Sequence, residues 1–107
     1  MPNSFKKITK QIVKSLKPYR PEKIFLFGSS ASGKSKKDSD IDLLIIKKTT
    51  KPHFKRIPEA RLRLWEINKA FDILVMTPEE IKKRLNLGDF FIEEILRKGK
   101  LLYEAKK

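Results

Sequence analysis

The sequence predicts an α+β domain, on three observations. Short apolar runs, KIFLF, DIDLLII and AFDILVM, have the length of buried strands rather than helices. Segments with apolar residues three and four positions apart lie between and around them. Glycines and prolines fall at the joints. The predicted order is helix, strand, strand, helix, strand, helix, helix, strand. The 107 residues suit one domain, 1–107, with one modest core.

Taken in order, residues 4–17 predict a helix that Ser4 caps, with Phe5, Ile8, Ile12, Val13 and Leu16 on one face. Pro18 and Pro21 end it. Lys23–Phe27 predicts a buried strand closed by Gly28. Residues 28–39, GSSASGKSKKDS, are small, polar and basic and predict a loop, with scope for one helical turn from Ser29. Asp40–Ile46 predicts a second strand. Pro58 to about Asn68 predicts a helix, with proline near its start and Leu62 and Trp65 on one face. Trp65 is expected in the core or as an interface anchor. Ala70–Met76 predicts a third strand. Thr77 then caps a helix, with Glu80 as the reciprocal acid of a capping box. A further helix, Asp89–Arg97, ends at Gly99, and Lys100–Glu104 predicts a last short strand. Phe90 and Phe91 are adjacent in that helix, so one ring is expected to face outward. His53 is expected to be a solvated residue of a polar connection, and Tyr19 and Tyr103 to be partly buried.

Lysine and arginine number 26 against 13 acids, a formal net charge of +13. Such a balance favours polyanionic partners, and it is also what a densely charged, lysine-rich surface looks like. With no cysteine in the chain, disulfides, thiolate metal sites and cysteine nucleophiles are excluded. The first residues carry no continuous apolar stretch of the signal-peptide kind, and no segment approaches the ~18 apolar residues of a membrane span. A cytoplasmic protein is expected.

The chemistry lies in the acids. Asp40 and Asp42 are two apart on a strand, so both side chains point to one face. Two carboxylates side by side repel unless a cation sits between them. Oxygen ligands suit hard cations such as magnesium, which is commonly held by a few carboxylates together with phosphates. Asp72 opens the third strand. If that strand neighbours the second, three carboxylates can hold two ions ~3.5–4 Å apart, the arrangement used for in-line attack at phosphorus. Asp72 is then the base or ligand for the attacking oxygen. Gly28 lets the backbone approach a phosphate, and Ser29 offers a hydroxyl and an N–H at the start of a turn. The bland alternatives are strand-end solvation for Asp40, a lysine pair for Asp42, a common strand-terminal aspartate for Asp72, and an ordinary strand-to-loop turn at Gly28.

The same stretch fits the phosphate-loop pattern literally, from Gly28 through Gly33, Lys34 and Ser35. Its context argues against it. A phosphate loop opens a long helix, whereas here KKDSD leads into another strand within a few residues.

Gly28-Ser29, ten residues, then Asp40-Ile41-Asp42 resembles the G-S-x(10)-D-x-D motif of the DNA polymerase beta-like nucleotidyltransferase superfamily. The string GSSASGKSKKDSDIDLLI is similar to its minimal nucleotidyltransferase branch. FDILVMTPEEI resembles the family's third-carboxylate strand and following helix, and EEILRKGKLLYE its C-terminal ending. The resemblance covers roughly residues 20–104. It implies a small mixed β-sheet flanked by helices, the polymerase beta-like nucleotidyltransferase fold. It also implies Asp40 and Asp42 as ligands of two Mg2+ ions, Asp72 as the third carboxylate, and Gly28 and Ser29 as phosphate contacts of ATP. Members often carry arginine where this chain has Ser32. Lys34 and Lys36 are candidates to replace it.

The branch also implies a partner. Many such domains are antitoxins to a HEPN-type RNase toxin, which they silence by transferring AMP from ATP onto a tyrosine. The chain shows no second domain for an acceptor of its own, which favours a separate partner protein or a homodimer. Two other functions remain open. One is nucleotidyl transfer to RNA such as a tRNA end, motivated by the excess positive charge. The other is a non-catalytic nucleotide-binding module that neutralises a toxin by contact, motivated by Ser32.

Overall fold

The computed structural model describes residues 3–28, 31 and 40–106. Helix α1 (Asn3–Leu16) runs into one 3-10 turn, Lys17–Tyr19. Strands β1 (Lys23–Phe27) and β2 (Ile41–Ile46) follow, then α2 (His53–Arg63), β3 (Phe71–Met76), α3 (Pro78–Asn86), α4 (Phe90–Lys98) and β4 (Lys100–Glu104). The predicted order of elements is the observed one. The strands form one sheet in the order β3-β2-β1-β4. β1 is antiparallel to both β2 and β4, while β2 and β3 are parallel, so the sheet is mixed.

Alternation of side chains across the strands sorts the core into two layers. Ile24, Leu26, Leu43, Ile45, Ile73 and Val75 face α1 and α2, where Ile12, Leu16, Ala60 and Leu64 meet them. Phe25, Leu44 and Ile46 face the other way, against Ile81 of α3 and Ile92 and Ile95 of α4. β2 is buried on both faces, as a central strand of continuous apolar sequence should be. Pairing is regular except between β1 and β4, where a bulge falls between Ile24 and Phe25.

Two helix starts differ from expectation. α1 begins at Asn3, so Ser4 lies within its first turn rather than before it. α2 begins at His53 with Pro52 as its cap residue, five positions ahead of the expected start, and Pro58 lies inside it. Proline prefers the first turn because it lacks an N–H, which is why the sequence places the start at Pro58. Burial of Arg56, Ala60 and Leu64 sets the helix instead. That phase turns Leu62 and Trp65 outward, at 70% and 76% exposure. Trp65 is therefore not a core residue. His53 is exposed as expected, but as the first residue of a helix rather than part of a loop.

The later boundaries follow the local signals. Thr77 caps α3 and accepts from the Glu80 N–H at 3.1 Å, while the Glu80 carboxylate accepts from the Thr77 N–H at 2.8 Å. Asp89 caps α4 through the N–H groups of Phe91 and Ile92. Glycine at 99 is required by space: a Cβ there would lie 2.4 Å from the Ile95 carbonyl oxygen. Tyr19 is buried and its hydroxyl donates to the Arg56 carbonyl, while Tyr103 is half-buried, as expected.

Candidate active site

Asp42 and Asp72 stand together at one edge of the α3/α4 face, with Asp40 just ahead of them in the chain. Leu43 and Ile45 point into the α1/α2 layer, so Asp42 points to the opposite face with Leu44 and Ile46. By the same alternation Asp72 shares the face of Leu74 and Met76. Asp42 and Asp72 are register partners on neighbouring parallel strands, which puts the two carboxyl groups side by side. Asp40 is exposed and stands two residues ahead of Asp42, just before β2. Burial pushes the Asp42 carboxyl above its ordinary range, and the charges of Asp72 and Asp40 push it the same way. The adjoining-strand geometry expected from the sequence is thus present.

Gly28 closes the site from β1. It follows Phe27, which is the register partner of Asp42 across the antiparallel pair. Its φ is +70°, and a Cβ on it would stand 2.3 Å from Asp42 Oδ2. Only glycine lets the backbone lie this close to the carboxylate in this conformation. The Gly28 carbonyl accepts from the Ala31 N–H at 3.1 Å. Ser29 lies outside the described residues, as do Ser32 and Lys34 to Lys37. The phosphate-loop reading fails on the strands alone. β2 starts at Ile41, six residues past Ser35, and runs antiparallel to β1, which leaves no room for a long crossover helix.

Beside Gly28 opens a cavity of about 350 Å³, walled by Phe27, Ala31, Phe91, Ile95 and Lys98. Phe27 and Phe91 meet edge to face with ring centroids 5.7 Å apart. Phe90 and Phe91 are both exposed, at 82% and 53%, so the adjacent pair presents two outward rings rather than one. The sequence marks those phenylalanines but not the cavity, because Phe27 and Phe91 are 64 positions apart and only the sheet–helix packing brings them together.

All the candidate donors are carboxylate oxygens, the class that suits a hard divalent cation. Among the described residues no group of three or more acid, histidine or cysteine side chains is already drawn together as an ion cage. The like-charge pressure on Asp42 is nonetheless the kind that a cation relieves.

An antiparallel hairpin ending in a glycine that lies on an aspartate, with a parallel third strand bringing a second aspartate alongside, defines a paired-carboxylate site at the edge of a mixed sheet. The chain belongs to the polymerase beta nucleotidyltransferase family, whose profile matches residues 10–107. Among curated proteins no sequence relative matches. Solved structures show the fold. A toxin–antitoxin crystal structure with AMP-PNP aligns at 21% identity over 92% of this chain and 74% of the other, with a TM-score of 0.67. A Sulfolobus solfataricus protein designated a nucleotidyltransferase aligns at 22% identity over 96% and 82%, with a TM-score of 0.62. A structure of tri-AMPylated Shewanella oneidensis HEPN toxin in complex with MNT antitoxin aligns at 19% identity over 94% and 73%, with a TM-score of 0.60.

Proposed function

We propose that residues 1–107 form one minimal nucleotidyltransferase domain that transfers AMP from ATP to a partner protein, with a HEPN-type toxin as the acceptor. The observation that carries the catalytic part is the register of Asp42 against Asp72 with Gly28 lying on Asp42. The acceptor rests on likeness to complexes whose descriptions name a toxin–antitoxin pair and an AMPylated HEPN toxin. In this reading Asp40, Asp42 and Asp72 hold two magnesium ions, and Gly28 and Ser29 contact the triphosphate. The metal supplies charge neutralisation on the phosphates and a lowered pKa for the attacking hydroxyl. The acceptor tyrosine oxygen bonds to the α-phosphorus, the bond to pyrophosphate breaks, and the tyrosine proton leaves to Asp72. The cavity beside Gly28 seats the adenine against Phe27 and Phe91, where a ring meets apolar and aromatic walls.

The test is incubation with α-labelled ATP, magnesium and the candidate toxin. Label should appear on the toxin, and Asp42→Asn should reduce it by at least ~100-fold, the order expected for loss of a group acting on developing charge. Label on RNA in place of protein would redirect the acceptor to a tRNA end. Full neutralisation of the toxin by Asp42→Asn would make this a contact-only module.

A further inference from the structure

The basic charge is not spread evenly. The first 21 residues contain five lysines and one arginine and no acid. In α1, Lys6, Lys10 and Lys14 recur every four residues, so they stack along one stripe about 6 Å apart per step. Lys17 continues the stripe into the 3-10 turn. Across from it lies β4, the edge strand of the sheet, which brings Lys100. Between the two runs a groove of about 440 Å³, with these five lysines on its rims and Val13, Leu101 and Leu102 along its floor.

All five lysines are exposed. None of them is in a salt bridge among the described residues. The carboxylates at the ends of the neighbouring strands are committed elsewhere, Glu22 to Lys48 and Glu104 to Lys23. Lys17 lies over the Tyr103 ring at 5.9 Å. Repulsion among five unpaired cations is unfavourable in the free protein and is relieved by a polyanion. The groove is also away from the candidate active site, because α1 packs on the sheet face opposite the one that carries Asp42 and Asp72.

We infer that the α1–β4 groove binds the phosphodiester backbone of single-stranded nucleic acid. Two features favour this over an acidic peptide. The cations are all lysine, which acts as a point charge toward phosphate, whereas structured carboxylate recognition favours the arginine fork. Four of them, Lys6, Lys10, Lys14 and Lys17, also follow one another along one rim at steps of three or four residues, matching a ligand whose charge repeats at every unit. A volume of about 440 Å³ takes a single strand rather than a duplex. The site reads no sequence, since phosphate contacts position a strand without specifying its bases. It is independent of the catalytic reading and holds whether or not the aspartates transfer a nucleotide.

The experiment is fluorescence anisotropy with labelled 12-mer oligouridylate and oligothymidylate across a salt series. Wild type should bind both, with a log–log slope near −3.5, roughly 0.7 for each of five phosphates. Replacing Lys6, Lys10 and Lys14 by glutamine should flatten that slope by about 2. A control with the same charge change elsewhere, Lys55→Gln, Lys82→Gln and Lys83→Gln, should leave it within a few tenths. If the groove variant melts earlier than wild type, Lys10→Gln alone replaces it, with an expected flattening of about 0.7. Equal losses in the groove and control variants would reduce the effect to net charge and overturn the site. Absence of oligonucleotide binding overturns it too. So does polyglutamate binding more tightly than either oligonucleotide and losing that affinity in the groove variant, which would assign the surface to an acidic protein.

Discussion

Gly28 and Asp42 depend on each other at the scale of single atoms. Any side chain at position 28 meets Asp42 Oδ2, and the φ of +70° penalises an L-residue on its own account. Gly28→Ala should therefore destabilise the fold by about 1–3 kcal/mol, measured by urea unfolding, and push the Asp42 carboxylate out of place. Nucleotide transfer should fall by more than the loss of folded protein explains. If transfer per folded molecule is unchanged in Gly28→Ala, the close approach has no catalytic role. Asp42 itself carries strain of a different kind, since burial and two neighbouring acids all oppose its ionisation. Removing that charge with Asp42→Asn should raise the melting temperature in metal-free buffer at neutral pH while abolishing transfer. A lowered melting temperature would mean that Asp42 is a structural ion-pair partner.

Between elements, one ion-pair cluster ties α2 to the start of α3. Arg56 is only 6% exposed, yet its guanidinium is hydrogen-bonded through both Nη1 and Nε. Nη1 donates to Glu80 Oε1 at 2.7 Å and to the Val75 carbonyl, and Nε donates to the Lys51 carbonyl at 2.8 Å. His53 Nε2 stands 3.2 Å from the other Glu80 oxygen. Burial alone would raise the Glu80 pKa. The hydrogen bonds from Arg56 and the Thr77 N–H, with the charges of Arg56 and His53, outweigh it and bring the group down from 4.5 to about 2. A depressed carboxylate contributes stability that is present above its unfolded value. That contribution should be lost as pH falls from about 4.5 through about 2. Glu80→Ala strands a buried guanidinium and opens the capping box, so it should cost about 2 kcal/mol near neutral pH. Its deficit against wild type should shrink toward pH 2 in a series of denaturant melts. A deficit that stays constant over that range would show that the charge contributes nothing.

The same element scale governs the cavity beside Gly28. Phe91 lies in the first turn of α4, where Asp89 caps the helix, and its ring meets Phe27 edge to face. If the cavity seats the base, Phe91→Ala should raise KM for ATP several-fold while changing kcat little, because the contact is made equally in ground and transition states. A fall in kcat at constant KM would instead place Phe91 in the reaction geometry.

For the whole molecule, the sheet decides which charges cooperate. Asp42 and Asp72 lie on its α3/α4 side and the lysine stripe on its α1 side. Among the described residues no helix is long and apolar enough to cross a membrane.

The order of elements, the α3 cap, the stop at Gly99 and the strand bounds at Lys23–Phe27 and Lys100–Glu104 were all legible in the sequence. They depend on interactions between residues a few positions apart: a period of two, a capping box, a glycine at a stop. Asp42 and Asp72 were legible as acids at the openings of two apolar runs, and the structure puts them in β2 and β3, with Asp40 just ahead of β2 rather than in it. The start of α2 was not legible. Pro58 carries a strong local signal, and burial of Arg56, Ala60 and Leu64 against distant partners overrode it, turning Trp65 outward. Other features depended on pairings across the chain. Asp72 beside Asp42 needed the parallel register of β2 and β3, and the Arg56–Glu80 pair needed α2 laid against α3. The lysine groove needed α1 laid along the edge strand. Local spacing encodes which chemistry a residue can offer, while only chain closure determines which of those groups stand together.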